Sequence, residues 1–216
     1  MKQRILTSIF AATAISLSVP AMASTITNLD LANASPFSGF DWSSNGTAVS
    51  APVSGTLSVG DTFTTYYFAD AVSVLKQGGG NFITPGLVSS APGSGGFAVG
   101  QYEYTIVAMI EETVTNVINL GSSGTLATFA ATGNGSWEIY YDHAGSDNTV
   151  ANQIAGTGFV DGIKILGGTV NAGDIGNFTV TADGLGGNGQ FDFNGLVNYT
   201  NTTYITPEQL STVAFG

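Results

Sequence analysis

Apolar and polar residues alternate with a period of two along two central segments of the chain. In residues 101–114 (QYEYTIVAMIEETV), one predicted face holds Tyr102, Tyr104, Ile106, Ala108 and Ile110. The opposite face is also apolar at its middle, where Val107 and Met109 lie between the polar residues Glu103, Thr105 and Glu111. A strand that is apolar on both faces is typical of the centre of a sheet.

The second segment, residues 136–142 (SWEIYYD), alternates without interruption. We predict that one face packs into the core and consists of Trp137, Ile139 and Tyr141. The opposite face then consists of Glu138, Tyr140 and Asp142.

Further strands are predicted at residues 61–72, 125–132, 162–170, 177–183 and 190–200. Glycine clusters separate them at residues 78–80, 93–96 and 184–189. The single helix predicted is a short one at residues 207–210, with Thr206 as its N-cap and Pro207 at the first helical position. We therefore predict an all-β fold, an antiparallel β-sandwich of the jelly-roll type with glycine-rich loops.

The N-terminus has the pattern of a secretory leader. Lys2 and Arg4 precede an apolar run of about 15 residues, and an A-x-A pattern with Ala21 and Ala23 as its small residues follows it. The run is shorter than the roughly 20 residues that cross a bilayer. We expect residues 1–23 to be a cleaved signal peptide, residues 24–216 to form one domain, and the mature chain to be exported without membrane insertion.

Charge excludes several classes of partner. The chain of 216 residues has 4 basic and 15 acidic side chains, and removal of Lys2 and Arg4 with the leader takes the formal charge from −11 to −13. Only Lys76 and Lys164 then remain to neutralise phosphates, which argues against binding to nucleic acid or anionic lipid. The absence of cysteine excludes disulfides and thiolate metal sites, and the single histidine, His143, excludes multi-histidine metal sites.

Catalytic motifs are also missing from the sequence. A Ser-His-Asp triad would need His143, which lies in a polar turn, and the chain has no G-x-S-x-G elbow. Carboxylate pairs for glycoside hydrolysis could come from Glu103, Glu111, Glu112 or Glu138. Any acidic all-β chain offers such pairs, so we predict that the protein is not an enzyme.

Calcium is the better candidate for an ionic ligand. Asp142, Asp147 and Asn148 follow the second alternating segment within one turn, and Asp161 lies in a glycine-flanked loop. Carboxylate, amide and backbone oxygens are the ligands that Ca²⁺ prefers. The alternative is that these side chains stabilise turns through hydrogen bonds to the backbone.

Tyrosines offer a second candidate binding chemistry. Tyr66, Tyr67, Tyr140 and Tyr204 could stack on sugar rings, as aromatic residues do in carbohydrate-binding β-sandwiches. The alternative is that they pack in the core or form cross-strand pairs.

From Phe37 to the C-terminus, the order of five blocks resembles the flocculation-associated PEP-CTERM proteins of floc-forming Gram-negative bacteria. The blocks are FSGFDWSSNGTAV, GDTFTTYYFADAV, QYEYTIVAMIEETV, GSWEIYYD and GTGFVDGIKILGG. The resemblance implies an exported protein that is processed at a C-terminal Pro-Glu-Pro tail by an exosortase and works with exopolysaccharide to aggregate cells. It implies no catalytic residues.

The C-terminus departs from this family. Residues 213–216 contain no Pro-Glu-Pro signal, and neither an apolar helix nor a basic cluster follows Pro207. We expect the chain to be a fragment, with a member that has lost its sorting tail as the alternative. The predicted function is that of a secreted matrix or outer-surface protein promoting flocculation and biofilm formation together with exopolysaccharide or cell-surface glycans. A carbohydrate-binding module of an exoprotein is the second hypothesis, and a hydrolase is the third.

Overall fold

The computed structural model describes residues 25–26, 37–43, 47–50, 57–76, 80–82, 87, 101–142, 158–180, 187–206 and 212–215. Within these ranges the chain forms strands and one 3₁₀ turn at Gly121–Ser123, with no α-helix. The strands are β1 (Thr25–Ile26), β2 (Phe37–Trp42), β3 (Thr47–Ser50), β4 (Thr62–Lys76), β5 (Asn81–Phe82), β6 (Glu103–Asn119), β7 (Thr125–Asp142), β8 (Ile163–Val170), β9 (Ala172–Val180), β10 (Gly187–Phe191), β11 (Phe193–Thr200), β12 (Ile205–Thr206) and β13 (Thr212–Phe215). The predicted all-β class is confirmed, whereas the helix predicted at residues 207–210 lies outside the described residues.

The strands pair along one hydrogen-bonded path, in the order β13-β11-β8-β7-β6-β4-β2. Strands β3 and β5 pair with β4, β9 pairs with β7 and β10, and β1 and β12 form a separate two-stranded ladder. All of these strand pairings are antiparallel. The central position predicted for β6 is confirmed, because β4 and β7 flank it; the sandwich and the single domain over residues 24–216 stay predictions.

Strand β7 changes its partner at a bulge. Its first half, residues 125–132, pairs with β9, and its second half, residues 136–141, pairs with β8. At the junction, residues 132–134 lie opposite the single residue Glu111 of β6. Gly133 has a φ of +88° there, a conformation that favours glycine. Extra residues on one strand bend it locally, which separates β7 into its two halves.

The core lies against one face of β6 and β7, which we call the inner face. The residues predicted for this face are confirmed there, each no more than 4% exposed: Tyr102, Tyr104, Ile106, Ala108, Ile110, Trp137, Ile139 and Tyr141. The rings of Tyr102, Tyr104 and Tyr141 lie 5.6–5.7 Å apart between centroids, and Phe40 of β2 packs on Tyr104 at 4.9 Å. The period-two pattern therefore placed the core side of both strands correctly.

The opposite face, which we call the outer face, is covered at one end by a segment of the described residues. Residues 158–162 lie over that end, where Thr105 donates a hydrogen bond to the backbone oxygen of Phe159 at 2.7 Å. The Phe159 ring lies 5.6 Å from that of Phe68 and is fully buried. Thr105 is consequently buried, and Glu103 on the same face is buried as well, although the alternation places both opposite the core.

Candidate functional site

The outer face extends across five neighbouring strands, β4, β6, β7, β8 and β11, and several of its side chains are exposed. Two rows of residues in cross-strand register lie on this part of the outer face, which we call the track, and Phe68 at the β4 end of the second row contacts the Phe159 ring. The first row is Tyr66, Met109, Ser136, Thr169 and Leu196. The second row is Phe68, Val107, Glu138, Gly167 and Tyr199.

Large apolar and aromatic side chains are exposed at the two ends of the track. Tyr66 and Met109 are each 42% exposed at the β4 and β6 end. Leu196 is 50% exposed and Tyr199 is 40% exposed at the β11 end. Exposed aromatic rings on a sheet face present flat apolar surface to a partner.

Four side chains of the outer face form a polar cluster, which we call the Glu138 cluster: Glu138, Tyr140, Lys164 and Tyr199. The Lys164 ammonium forms an ion pair with Glu138 Oε1, and Tyr140 Oη donates a hydrogen bond to Glu138 Oε2 at 2.5 Å. Lys164 Nζ also lies 4.8 Å from the centroid of the Tyr199 ring, within the range of a cation–π contact. The four side chains thus hold one another in place on the surface.

Two register shifts bring the cluster together. Between β7 and β8, Ile139 pairs with Leu166 but Tyr140 pairs with Lys164, so Ile165 is the extra residue. Ile165 is fully buried, and Lys164 remains on the outer face beside Tyr140. The bulge therefore lets β8 bury Ile165 while Lys164 stays within reach of Glu138.

The second shift lies between β8 and β11. Val197 pairs with Gly168 and Tyr199 pairs with Gly167, which leaves Asn198 as the extra residue. Strict alternation from Leu196 would place Asn198 outside and Tyr199 inside, but the bulge turns Tyr199 outward.

Gly167 gives Lys164 its route to Glu138. A Cβ atom at position 167 would lie 2.7 Å from Lys164 Cε and 3.0 Å from Lys164 Nζ. Because glycine has no Cβ, the lysine side chain passes directly over the β8 backbone between Tyr199 and Glu138. Any larger residue at this position would displace the ammonium group.

The protonation states of Glu138 and Tyr140 determine which groups of the cluster donate and which accept hydrogen bonds. Burial by itself raises the pKa of Glu138, but hydrogen bonds from Lys164 and Tyr140 and the charge of Lys164 outweigh it, so the pKa lies below its usual value. Burial, the hydrogen bond to Glu138 and the Glu138 charge together raise the pKa of Tyr140. At neutral pH the carboxylate is therefore ionised and accepts hydrogen bonds, whereas a general acid for glycoside hydrolysis needs a raised pKa.

The four tyrosines proposed for sugar stacking divide between the two faces. Two of them lie on the outer face: Tyr66 is on the track, and Tyr140 is in the Glu138 cluster. Tyr67 and Tyr204 pack against the core, and the Tyr204 ring lies 5.8 Å from that of Tyr141. Burial and the charge of Asp70 raise the pKa of Tyr67 to about 12. Tyr199 was not predicted, because only the bulge at Asn198 exposes it.

The remaining predicted carboxylates are distributed over both faces of the sheet. Glu103 is buried in register with Asp142. Glu111 accepts hydrogen bonds from Thr132 and Asn134, both at 2.9 Å. Glu112 lies on the inner face, where the hydroxyl of Thr65 donates to Oε2 at 2.5 Å and Oε1 has no hydrogen-bond partner among the described residues.

The predicted calcium ligands are only partly described. Asp142 is buried at the end of β7, and Asp161 is exposed in the segment that covers the outer face. A Cβ atom built on Gly162 would lie 2.9 Å from Asp142 Cβ, so the backbone next to Asp161 packs against Asp142. Asp147 and Asn148 lie outside the described residues. Among those that are described, no three acidic or histidine side chains converge as a metal site requires, and the calcium site stays a prediction.

In the described ranges, no helix has the length and hydropathy of a membrane span. Neither a protein-family profile, nor a curated protein sequence, nor a solved structure matches this chain.

Proposed function

We propose that this protein is a secreted matrix or cell-surface protein that promotes cell aggregation together with exopolysaccharide, and that the track binds the polysaccharide. The observation behind this proposal is that the Tyr199 ring is exposed next to the charged groups of Glu138 and Lys164. A pyranose ring presents a flat face of C–H groups that packs on an aromatic ring, and its hydroxyls donate to a carboxylate and accept from an ammonium.

The sequence supports the cellular part of the proposal. A leader at residues 1–23 would export the chain, and the resemblance to flocculation-associated PEP-CTERM proteins supplies the role in aggregation. The low content of basic residues favours a glycan over nucleic acid as the extracellular partner. The same track also fits the second hypothesis, a carbohydrate-binding module of an exoprotein.

The first prediction concerns Tyr199. Tyr199→Ala removes a ring that is 40% exposed, together with its contact to Lys164, so we expect about tenfold weaker binding of the mature chain to exopolysaccharide from the producing bacterium. Calorimetry with the purified polysaccharide measures this change. Val59→Ala is the matched control, because Val59 is 66% exposed in the segment before β4, outside the track.

Cell settling separates the two functional hypotheses. A deletion strain should settle slowly, wild-type protein should restore settling, and the Tyr199→Ala variant should not. Unchanged settling after deletion, with intact polysaccharide binding by the purified chain, would contradict the matrix role and favour the carbohydrate-binding module. Equal binding by wild type and Tyr199→Ala would show that the track is not the site.

A further inference from the structure

Two exposed tyrosines lie at opposite ends of the track. Tyr66 is on β4 in the first row, and Tyr199 is on β11 in the second row. The order β11-β8-β7-β6-β4 puts four interstrand steps between them. With about 4.8 Å per step and about 7 Å between rows, the two rings are separated by about 20 Å. That distance is several times the width of one sugar ring.

The surface between the two tyrosines is apolar on β6, at Met109 and Val107, and polar on β7 and β8. Ser136 and Thr169 are exposed in the first row, and Gly167 contributes no side chain to the second. Glu138 lies in the second row with its carboxylate held by Lys164 and Tyr140. The path between the two aromatic ends is therefore lined by Met109 and Val107 on β6, by small hydroxyl side chains, and by the Glu138 carboxylate with the Lys164 side chain crossing over Gly167. Such a path fits a partner that presents both C–H faces and hydroxyl groups along its length, as a polysaccharide does.

Charge selects among such partners. The Lys164 ammonium is already paired with Glu138, so the Glu138 cluster has no excess positive charge to offer an anion. The whole chain has a formal charge of −11, which repels acidic polymers at low ionic strength. A second copy of this chain would bring the same charge and no complement to the polar middle of the track.

We propose that the track binds an extended, uncharged polysaccharide that lies across the strands, with one sugar stacked on Tyr66 and another on Tyr199. This inference rests on the proposed function and adds the class of glycan and its orientation. Glu138 and Lys164 then hydrogen-bond the hydroxyls of sugars between the two tyrosines. An oligosaccharide too short to reach both rings gains only one of the two stacking contacts.

The test uses cello-oligosaccharides from the disaccharide to the hexasaccharide as neutral, extended probes. We expect affinity to rise steeply once the probe is long enough to contact both rings, because the second contact is made within the same complex. Tyr66→Ala and Tyr199→Ala should each weaken hexasaccharide binding about tenfold and should abolish the gain with length. Val59→Ala should leave the length dependence unchanged. A flat length dependence in the wild type would overturn the inference.

Two further measurements, the binding of acidic oligosaccharides and the oligomeric state of the protein, test the alternatives to this inference. Oligogalacturonates of matching length should bind more weakly than cello-oligosaccharides at low salt, with or without chelator. Tighter, chelator-sensitive binding of the acidic probe would overturn the inference in favour of cation bridging. A dimer in sedimentation that both tyrosine variants dissociate would overturn it in favour of self-association. If Tyr199→Ala weakens binding to exopolysaccharide but Tyr66→Ala does not, only the two-tyrosine mode fails and the proposed function stands.

Discussion

Replacing Gly195 with alanine will lower the free energy of unfolding by about 3 kcal/mol or more, the range of the more severe overpacking substitutions. A Cβ atom at position 195 would overlap Nε1 of the Trp137 indole. Trp137 is fully buried, and its Nε1 donates a hydrogen bond to the backbone oxygen of Thr169 at 3.3 Å. The indole ring is rigid and the glycine lies on a paired strand, so neither can move without loss of packing. Urea unfolding of the purified variant measures the effect.

Two further variants test the cause of this loss. Leu196→Ala changes the adjacent residue on the opposite, exposed side of β11 and should leave stability nearly unchanged. In a Trp137→Leu background the indole is absent, so Gly195→Ala should cost much less than in the wild type. Equal costs in the two backgrounds would contradict an overlap with Trp137.

Replacing Glu112 with glutamine will stabilise the protein at pH 8 by about 2 kcal/mol. Burial raises the pKa of Glu112 from 4.5 to about 7, and the hydrogen bond from Thr65 only partly opposes this. A shift of this size costs about 3 kcal/mol once the carboxylate is ionised, and an unpaired amide N–H in the variant subtracts about 1 kcal/mol from the gain.

The sign of the pH dependence follows from the raised pKa. Between pH 4.5 and about 7 the folded wild type binds more protons than the unfolded chain, so its stability falls as the pH rises through this range. Glu112→Gln should remove that fall, and below pH 4.5 the variant should be slightly less stable than the wild type. Urea unfolding at a series of pH values measures both curves. A fall of the same steepness in the variant would contradict the assignment.

Glu111→Gln is the matched control, one residue away along β6. Hydrogen bonds from Asn134 and Thr132 lower the pKa of Glu111. The stability that this carboxylate contributes is present above its unfolded pKa and is lost as the pH falls. The control variant should therefore keep the fall in stability between pH 4.5 and 7.

Local alternation was enough to predict the core side of the sheet. Trp137, Ile139 and Tyr141 face inward because side chains of a strand alternate strictly until an extra residue intervenes. One further step of the same alternation in β6 puts Glu112 on the core side with Ile110, where the structure also has it.

The outer face was less predictable, because non-local contacts and bulges decide it. Thr105 is buried where its hydroxyl donates to the backbone oxygen of Phe159, 54 residues away in sequence. Tyr199 is exposed only because Asn198 is an extra residue opposite β8. Neither the Phe159 contact nor the extra residue Asn198 leaves a periodic signal in the sequence, so alternation predicts the strands but not the track.

The change of partner along β7 has a consequence for cooperativity. One uninterrupted backbone pairs with β9 in its first half and with β8 in its second, and β6 pairs with both halves. If either half of β7 unfolded, β6 would lose part of its interstrand hydrogen bonds. Because β6 is also the partner of the other half of β7, that half would be destabilised too. The β8 and β9 sides of the sheet should therefore melt in a single transition, although the bulge at Gly133 separates them in space.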